Sequence, residues 1–131
     1  NGNSQLYKIG NYVFFGCTSL TRIIIPTGVS YIYNSAFSNC TSLTSITIPE
    51  SVISIGVAAF DLCDKLEIVY YGGTEEQWNA VSIGWRNYDL ENTTKYYYSE
   101  ELTDEQKADG NNYWHYGSDG VTPVVWTKET L

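Results

Sequence analysis

Methionine is absent from this 131-residue chain, histidine occurs once, and lysine and arginine together number seven. Set against fifteen Asp and Glu, that scarcity gives a formal net charge of -8, which leaves no basic face to neutralise nucleic-acid phosphates or anionic lipid. Long apolar runs are also missing. Stretches such as 23–25 and 68–71 are strand-sized, far short of the roughly 18 residues a membrane helix needs. Cysteine is limited to three residues, with no Cys-x2-Cys pair, and the lone His115 stands far along the chain, so the spacing of a zinc site is lacking. What is present is apolar enough to fold: 43% hydrophobic against 17% charged residues argues for a packed core over a disordered tail. The length suits one compact domain or one short repeat array.

Charge divides the chain. Residues 1–66 hold three acids (Glu50, Asp61, Asp64) and three bases (Lys8, Arg22, Lys65), leaving twelve acids and four bases for 67–131. The change of regime falls near Gly72-Gly73-Thr74, so repeats are expected over 1–71 and a different C-terminal part over 72–131. The chain opens Asn1-Gly2-Asn3-Ser4 without an initiator Met or a charged and apolar leader, and reads as a piece of a longer or processed protein. Abundant Tyr and Trp with scarce Lys and Arg point to an extracellular or cell-surface setting.

The first part repeats every 23 residues. Ile9, Ile32 and Ile55 keep this interval, as do Phe14, Phe37 and Phe60; Cys17, Cys40 and Cys63; and Leu20, Leu43 and Leu66. Conservative columns run through Leu6, Val29, Val52; Val13, Ala36, Ala59; Ile23, Ile46, Val69; and Ile25, Ile48, Tyr71. One such unit cannot bury its own apolar side, so identical coils must stack, each side chain against its own copy. Residues 20–26 are rich in β-branched residues and end in Pro26, which predicts a short strand, with equivalents at 43–48 and 66–71 pairing in parallel. Residues 34–39 and their copies, on the opposite face, are too short for a full helix and suit one helical turn or a 3₁₀ segment.

The text Ser35-Ala36-Phe37-Ser38-Asn39-Cys40-Thr41-Ser42-Leu43-Thr44-Ser45-Ile46-Thr47-Ile48-Pro49, continued through Glu50 to Gly56, resembles the BspA-like leucine-rich repeats of bacterial surface proteins. The resemblance covers about residues 6–71, and Tyr70 to Trp78 looks like the segment that closes such arrays. It implies an α/β fold, a right-handed β-α leucine-rich-repeat solenoid with parallel strands, together with export and an adhesion or ligand-binding role. It implies no catalytic residues and no cofactor. The chain departs from the pattern at Tyr33, where Gly10 and Gly56 stand in the other units, and at Val13, where Ala is usual.

Beyond the repeats, Thr74-Glu75-Glu76-Gln77 fits a capping box that starts a short helix through Trp78. Residues 95–98 then read as a fourth parallel strand. Residues 113–116 and 124–126, around Gly117-Ser118-Asp119-Gly120, read as a β-hairpin that completes the C-terminal cap, and 100–112 as a surface loop or a frayed helical turn. At the other end Leu6-Tyr7-Lys8-Ile9 copies the tail of a coil, so further repeats upstream, or a dimer through this edge, are expected.

Catalytic and metal readings are weak. The three cysteines fall in core columns and act as small hydrophobes without a disulfide. His115 lacks a nucleophile elbow and is a hairpin side chain. Glu75-Glu76 favours a helix N-terminus, Glu100-Glu101 a solvated loop, and Asp119-Gly120 a turn. Recognition has more support. On the strands the outward rows are Arg22, Ser45, Ile68 and Ile24, Thr47, Tyr70, whose apolar members need a partner; this face is the expected contact site. Trp114, Tyr116 and Trp126 form an alternative aromatic site suited to stacking on a sugar, or else fill the cap with Trp78, Trp85 and Tyr96 to Tyr98. The expected function is a non-catalytic protein-binding or adhesion module, its partner a host or extracellular-matrix protein. A carbohydrate-binding role and a structural spacer are the alternatives. Neither nucleic acid nor direct membrane insertion is expected.

Overall fold

The structure, a computed structural model, describes residues 7–128; Leu6 of the first column and the opening Asn1 to Ser4 lie outside the described residues. In chain order the elements are β1 (Tyr7–Ile9), β2 (Arg22–Ile24), β3 (Val29–Ile32), β4 (Ser45–Ile48), β5 (Ser54–Ile55), β6 (Ile68–Tyr71), α1 (Glu75–Asn79) and β7 (Ser82–Ile83). There follow α2 (Tyr88–Glu91), β8 (Thr94–Tyr98), α3 (Asp104–Ala108), β9 (Asn112–Tyr116) and β10 (Pro123–Val125). Each coil gives one strand to each of two parallel sheets, ordered β1-β3-β5-β7 and β2-β4-β6-β8. β9 adds to β8 in parallel, and β10 returns antiparallel to β9.

The ladders follow the sequence period. Phe14 and Phe37 stack at 5.1 Å between ring centroids and 8° between planes, and Phe37 and Phe60 at 5.1 Å and 7°. Ile23 pairs with Ile46 and Ile46 with Val69, so like meets like across the first three rungs. In the second and third coils the Ala, Phe, Cys and Leu columns are buried, whereas Phe14, Cys17 and Leu20 of the first coil are half-buried because, among the described residues, no rung covers their outer side. The same position explains Val13: it is exposed on the first rung, where a side chain larger than the enclosed Ala36 and Ala59 meets no obstacle. The thiols are free, and those of Cys40 and Cys63 donate to the Phe14 and Phe37 carbonyls at 3.2 and 3.1 Å, each linking its rung to the one before. Burial pushes the Cys63 thiol up to about 12, which keeps it protonated and inert.

The arcs opposite the β2 sheet differ from the expected helical turn. Residues 34–39 form a run of tight turns, because the backbone enters the left-handed region twice in each of the first three arcs, at Tyr12 and Gly16, Ser35 and Asn39, and Ala58 and Leu62, and once in the fourth, at Arg86. An α-helix cannot continue through such residues. Alternate N–H groups then serve two partners. Ala36 and Ser38 donate within their own turn, to Tyr33 and Ser35, while Ser35, Phe37 and Asn39 donate to Val57, Ala59 and Asp61 of the next coil. Each arc is thus bonded to its neighbour much as strands are. Beside it lies a second sheet that the sequence reading did not foresee, made from residues 29–32 and their copies. Tyr33 fits the Gly10/Gly56 column by turning its ring outward against Tyr31 and under the Lys8 ammonium, at 6.1 and 5.2 Å.

A fourth coil closes the array. The Thr74 capping box forms, with Gln77 N–H donating to Thr74 Oγ1 at 3.2 Å and Thr74 N–H to Gln77 Oε1 at 2.8 Å. Trp78 is buried edge-on to Tyr71 at 5.2 Å. Strand β8 is the expected fourth rung, with Tyr97 opposite Tyr71 and Lys95 opposite Val69. Lys95 ends the Ile23 column by turning its ammonium to the carbonyls of Glu91 and Thr93, and burial lowers its pKa. Of the loop and the helical turn expected over 100–112, the structure forms the helical turn, α3, which is capped by a second box of Thr103 and Gln106 and so is not frayed at its start.

Candidate binding surfaces

The outward rows of the β2 sheet are not left bare. Past Trp114 the hairpin folds back over the sheet, so that Val121, Thr122 and Pro123 face Arg22, Ile24, Ser45, Thr47 and Tyr70 across a cavity of about 200 Å³. Five of the six residues expected to form the contact face therefore meet in one cleft; Ile68 is half-buried and lies outside its lining. Thr47 is only 5% exposed, Ser45 and Tyr70 are half-buried, and Arg22 and Ile24 remain open at the edge strand. The partner that the apolar Ile24 and Tyr70 need is supplied in part by the chain itself. Burial, and then the neighbouring Tyr96, raise the Tyr70 hydroxyl pKa, so it stays protonated as a donor.

The alternative aromatic site needs correction. Trp114 is 0% exposed: its indole N–H donates to the Tyr71 carbonyl at 2.7 Å, and its ring is packed among Tyr70, Tyr98 and Tyr116. No sugar can stack on it. Trp126 is half-buried, donates to Ser99 O at 2.8 Å and lies 4.2 Å from the His115 ring, which makes both of them hairpin packing. Tyr116 alone stays exposed, on a smaller hollow of about 150 Å³ shared with Ile24, Thr47 and Val121, so it extends the strand-face cleft. Asp119 shapes the loop above it, its carboxylate accepting from the Val121 and Thr122 N–H groups at 2.9 and 2.8 Å.

Chemically the cleft offers the guanidinium of Arg22 and the hydroxyls of Ser45, Thr47, Tyr70 and Thr122 beside Ile24 and Pro123. Such a lining orients a ligand by hydrogen bonds and apolar contact; it pairs no nucleophile with a base. Among the described residues no three His, Cys, Asp or Glu come together as metal ligands, and no helix is long and apolar enough to cross a membrane.

Residues 1–101 match, in six copies, the family described as BspA type leucine rich repeat region. The chain belongs to the BspA-type leucine-rich repeat family. A leucine rich cell surface protein of Faecalibacterium prausnitzii A2-165, known from a crystal structure, is 41% identical and superposes with a TM-score of 0.58. The match covers 61% of this chain and 21% of that protein, so the chain spans about a fifth of the length of this structural relative. No curated protein matches the chain. A BspA-type repeat thus accounts for the two sheets and their ladders, and the family is that of a surface repeat module.

One exposed aromatic pair of this BspA-type chain escaped the sequence reading. Trp85, grouped there with possible cap filling, is 80% exposed, and Tyr88 beside it is 65% exposed. They sit where the fourth arc turns. Asn87, 1% exposed, holds that turn: its side-chain carbonyl accepts from Phe60 N–H at 2.9 Å, and its amide donates to the Gly56 and Gly84 carbonyls at 3.0 Å each. Arg86 pairs with Asp61 at 3.0 Å. Burial, then the negative charges of Asp64 and Asp61, raise the pKa of the nearby Asp89, which marks this shoulder as acidic.

Proposed function

We propose that the chain is a non-catalytic protein-binding or adhesion module of an extracellular or cell-surface protein, engaging its partner at the edge of the β2 sheet. The observation that carries this reading is the cleft in which Arg22, Ile24, Thr47 and Tyr70 face residues 121–123. It combines a rigid repeat-built floor with a non-repeating roof, and its open side ends in the exposed Ile24 and Arg22. Membership of a family of surface repeat modules supports the same setting.

The test is binding of the intact protein to a panel of purified extracellular-matrix proteins by surface plasmon resonance. Ile24→Asp with Arg22→Glu inverts both the polarity and the charge of the open side while leaving the buried columns intact. Association lost in this double variant, and kept in a control Lys65→Glu at an exposed position outside the cleft lining, supports the reading. Binding that is unaffected by the double variant places the contact elsewhere, and absence of binding across the panel favours the structural-spacer role.

A further inference from the structure

The fourth arc carries a second surface of a different chemistry. Trp85 occupies the outward column that holds Asn11, Asn34 and Val57 in the earlier coils, since Ala58 N–H donates to Trp85 O at 2.8 Å as Ser35 N–H does to Val57 O at 3.0 Å. An indole left 80% exposed forgoes burial of one of the largest apolar side chains. Slackness of the backbone is not the cause. Gly84 N–H donates to Ile55 O at 2.8 Å, and a Cβ on Gly84 would come within 2.8 Å of Val57 N. Asn87 anchors the turn from inside, and Arg86, left-handed at φ 64° like its counterparts in the other arcs, is tied to Asp61. The ring is held out in solvent by a fixed turn.

Between Trp85 and Tyr88 lies a shallow hollow of about 380 Å³ that is also lined by Ile83, Gly84, Arg86 and Glu91. That volume falls in the range of small-molecule sites, about 300–1,000 Å³. Its chemistry is two exposed aromatic faces, one planar donor fork and one carboxylate acceptor. The lining itself holds one positive and one negative side chain, Arg86 and Glu91, and so carries no net charge, while the acidic shoulder of Asp61, Asp64 and Asp89 beside it disfavours an anionic ligand. A neutral ligand with a flat apolar face and a rim of hydroxyls suits all of these groups. We propose that Trp85 and Tyr88 bind a neutral saccharide, a hexopyranose ring stacking on the aromatic faces while Arg86 and Glu91 hydrogen-bond its hydroxyls. This site is separate from the strand-face cleft and does not depend on it.

The test is a glycan array with the intact protein, followed by NMR titration of the indole N–H signals with neutral hexose trisaccharides, 3′-sialyllactose and a Lys/Arg-rich peptide. Neutral trisaccharides are expected to shift the Trp85 indole signal. Trp85→Ala and Tyr88→Ala should each weaken binding about tenfold or more. Both side chains are exposed, so the variants keep the wild-type melting temperature, and Trp126→Phe serves as a control that leaves binding unchanged. Preference for the sialylated sugar, binding of the basic peptide alone, saccharide binding unaffected by Trp85→Ala, or no saccharide that moves the Trp85 signal would each overturn the proposal.

Discussion

Replacing Asn87 by alanine tests whether one buried amide completes the last arc of the solenoid. In the inner coils Phe37 N–H donates to a backbone carbonyl, that of Ala59, whereas Phe60 N–H, its copy one coil on, donates to Asn87 Oδ1 at 2.9 Å. The same side chain donates to Gly56 O and Gly84 O at 3.0 Å. Removing it strands a buried Phe60 N–H, worth about 1–3 kcal/mol, and takes partners from two carbonyls, for a total of about 2–4 kcal/mol. Asn34 provides an internal control. Its Oδ1 accepts one bond, from Val57 N–H at 2.9 Å, at an exposed position where water can replace it, so Asn34→Ala should cost about 0.5–1.5 kcal/mol. Urea unfolding followed by tryptophan fluorescence resolves the two, since a 2 kcal/mol difference at an m of about 1–3 kcal/mol/M separates the midpoints by about 1 M. Asn87→Asp keeps the acceptor for Phe60 N–H but sets a buried carboxylate oxygen against the Gly56 and Gly84 carbonyls, so it too should destabilise by more than Asn34→Ala. If Asn87→Ala lay within about 0.5 kcal/mol of Asn34→Ala, the amide would not be holding the arc and the argument for a rigid turn at Trp85 would fail with it.

The aromatic ladder makes a second prediction: Phe37→Ala, which removes a ring stacked on both sides, should cost about 3–5 kcal/mol, and Phe14→Ala, half-buried with one stacked neighbour, at most about half of that. Equal losses in chemical denaturation would mean that the columns are not the source of cohesion. A third prediction concerns acid. The Thr122 hydroxyl, with the Thr122 and Val121 N–H groups, holds the Asp119 carboxyl at about 2, below its ordinary 3.8. A depressed folded value stabilises the hairpin loop above pH 3.8, and that contribution drains away as pH falls from there through about 2. The Val121 and Thr122 amide signals should stay constant from neutrality to about pH 4 and move below it; a midpoint at or above 3.8 would show that the loop does not hold the carboxylate.

Much of the fold is legible residue by residue. Phe14, Phe37 and Phe60 are 23 apart in the chain and 5.1 Å apart in space, a direct translation of period into contact. The second sheet was also written in the Val29/Val52 and Ile32/Ile55 columns. It was missed because β5 is two residues long, and alternation over so short a span carries no strand signal. The fourth coil loses the period. Ile55 pairs with Ile83 and Tyr71 with Tyr97, offsets of 28 and 26 residues, because α1 and α2 replace the turns of the earlier coils. Thr103 and Gln106 carry the same capping signature as Thr74 and Gln77, so α3 could have been found by the rule that found α1. The binding surfaces were legible only in part. The outward rows follow from strand alternation, but nothing in them announces that residues 121–123 cover Thr47.

The sequence by itself determined the ladders, because a repeating unit with an apolar side can be buried only against its own copies, and the spacing of those copies is written into the chain. Tertiary structure alone decided which tryptophan is hidden and which is offered to solvent. Trp114 is sealed by a bond to Tyr71, 43 residues away, while Trp85 is held outward by a turn anchored on Asn87 and on the preceding arc. Those contacts join segments that share no period, so they depend on where aromatic rings and single amides find partners in three dimensions, which composition and spacing do not encode.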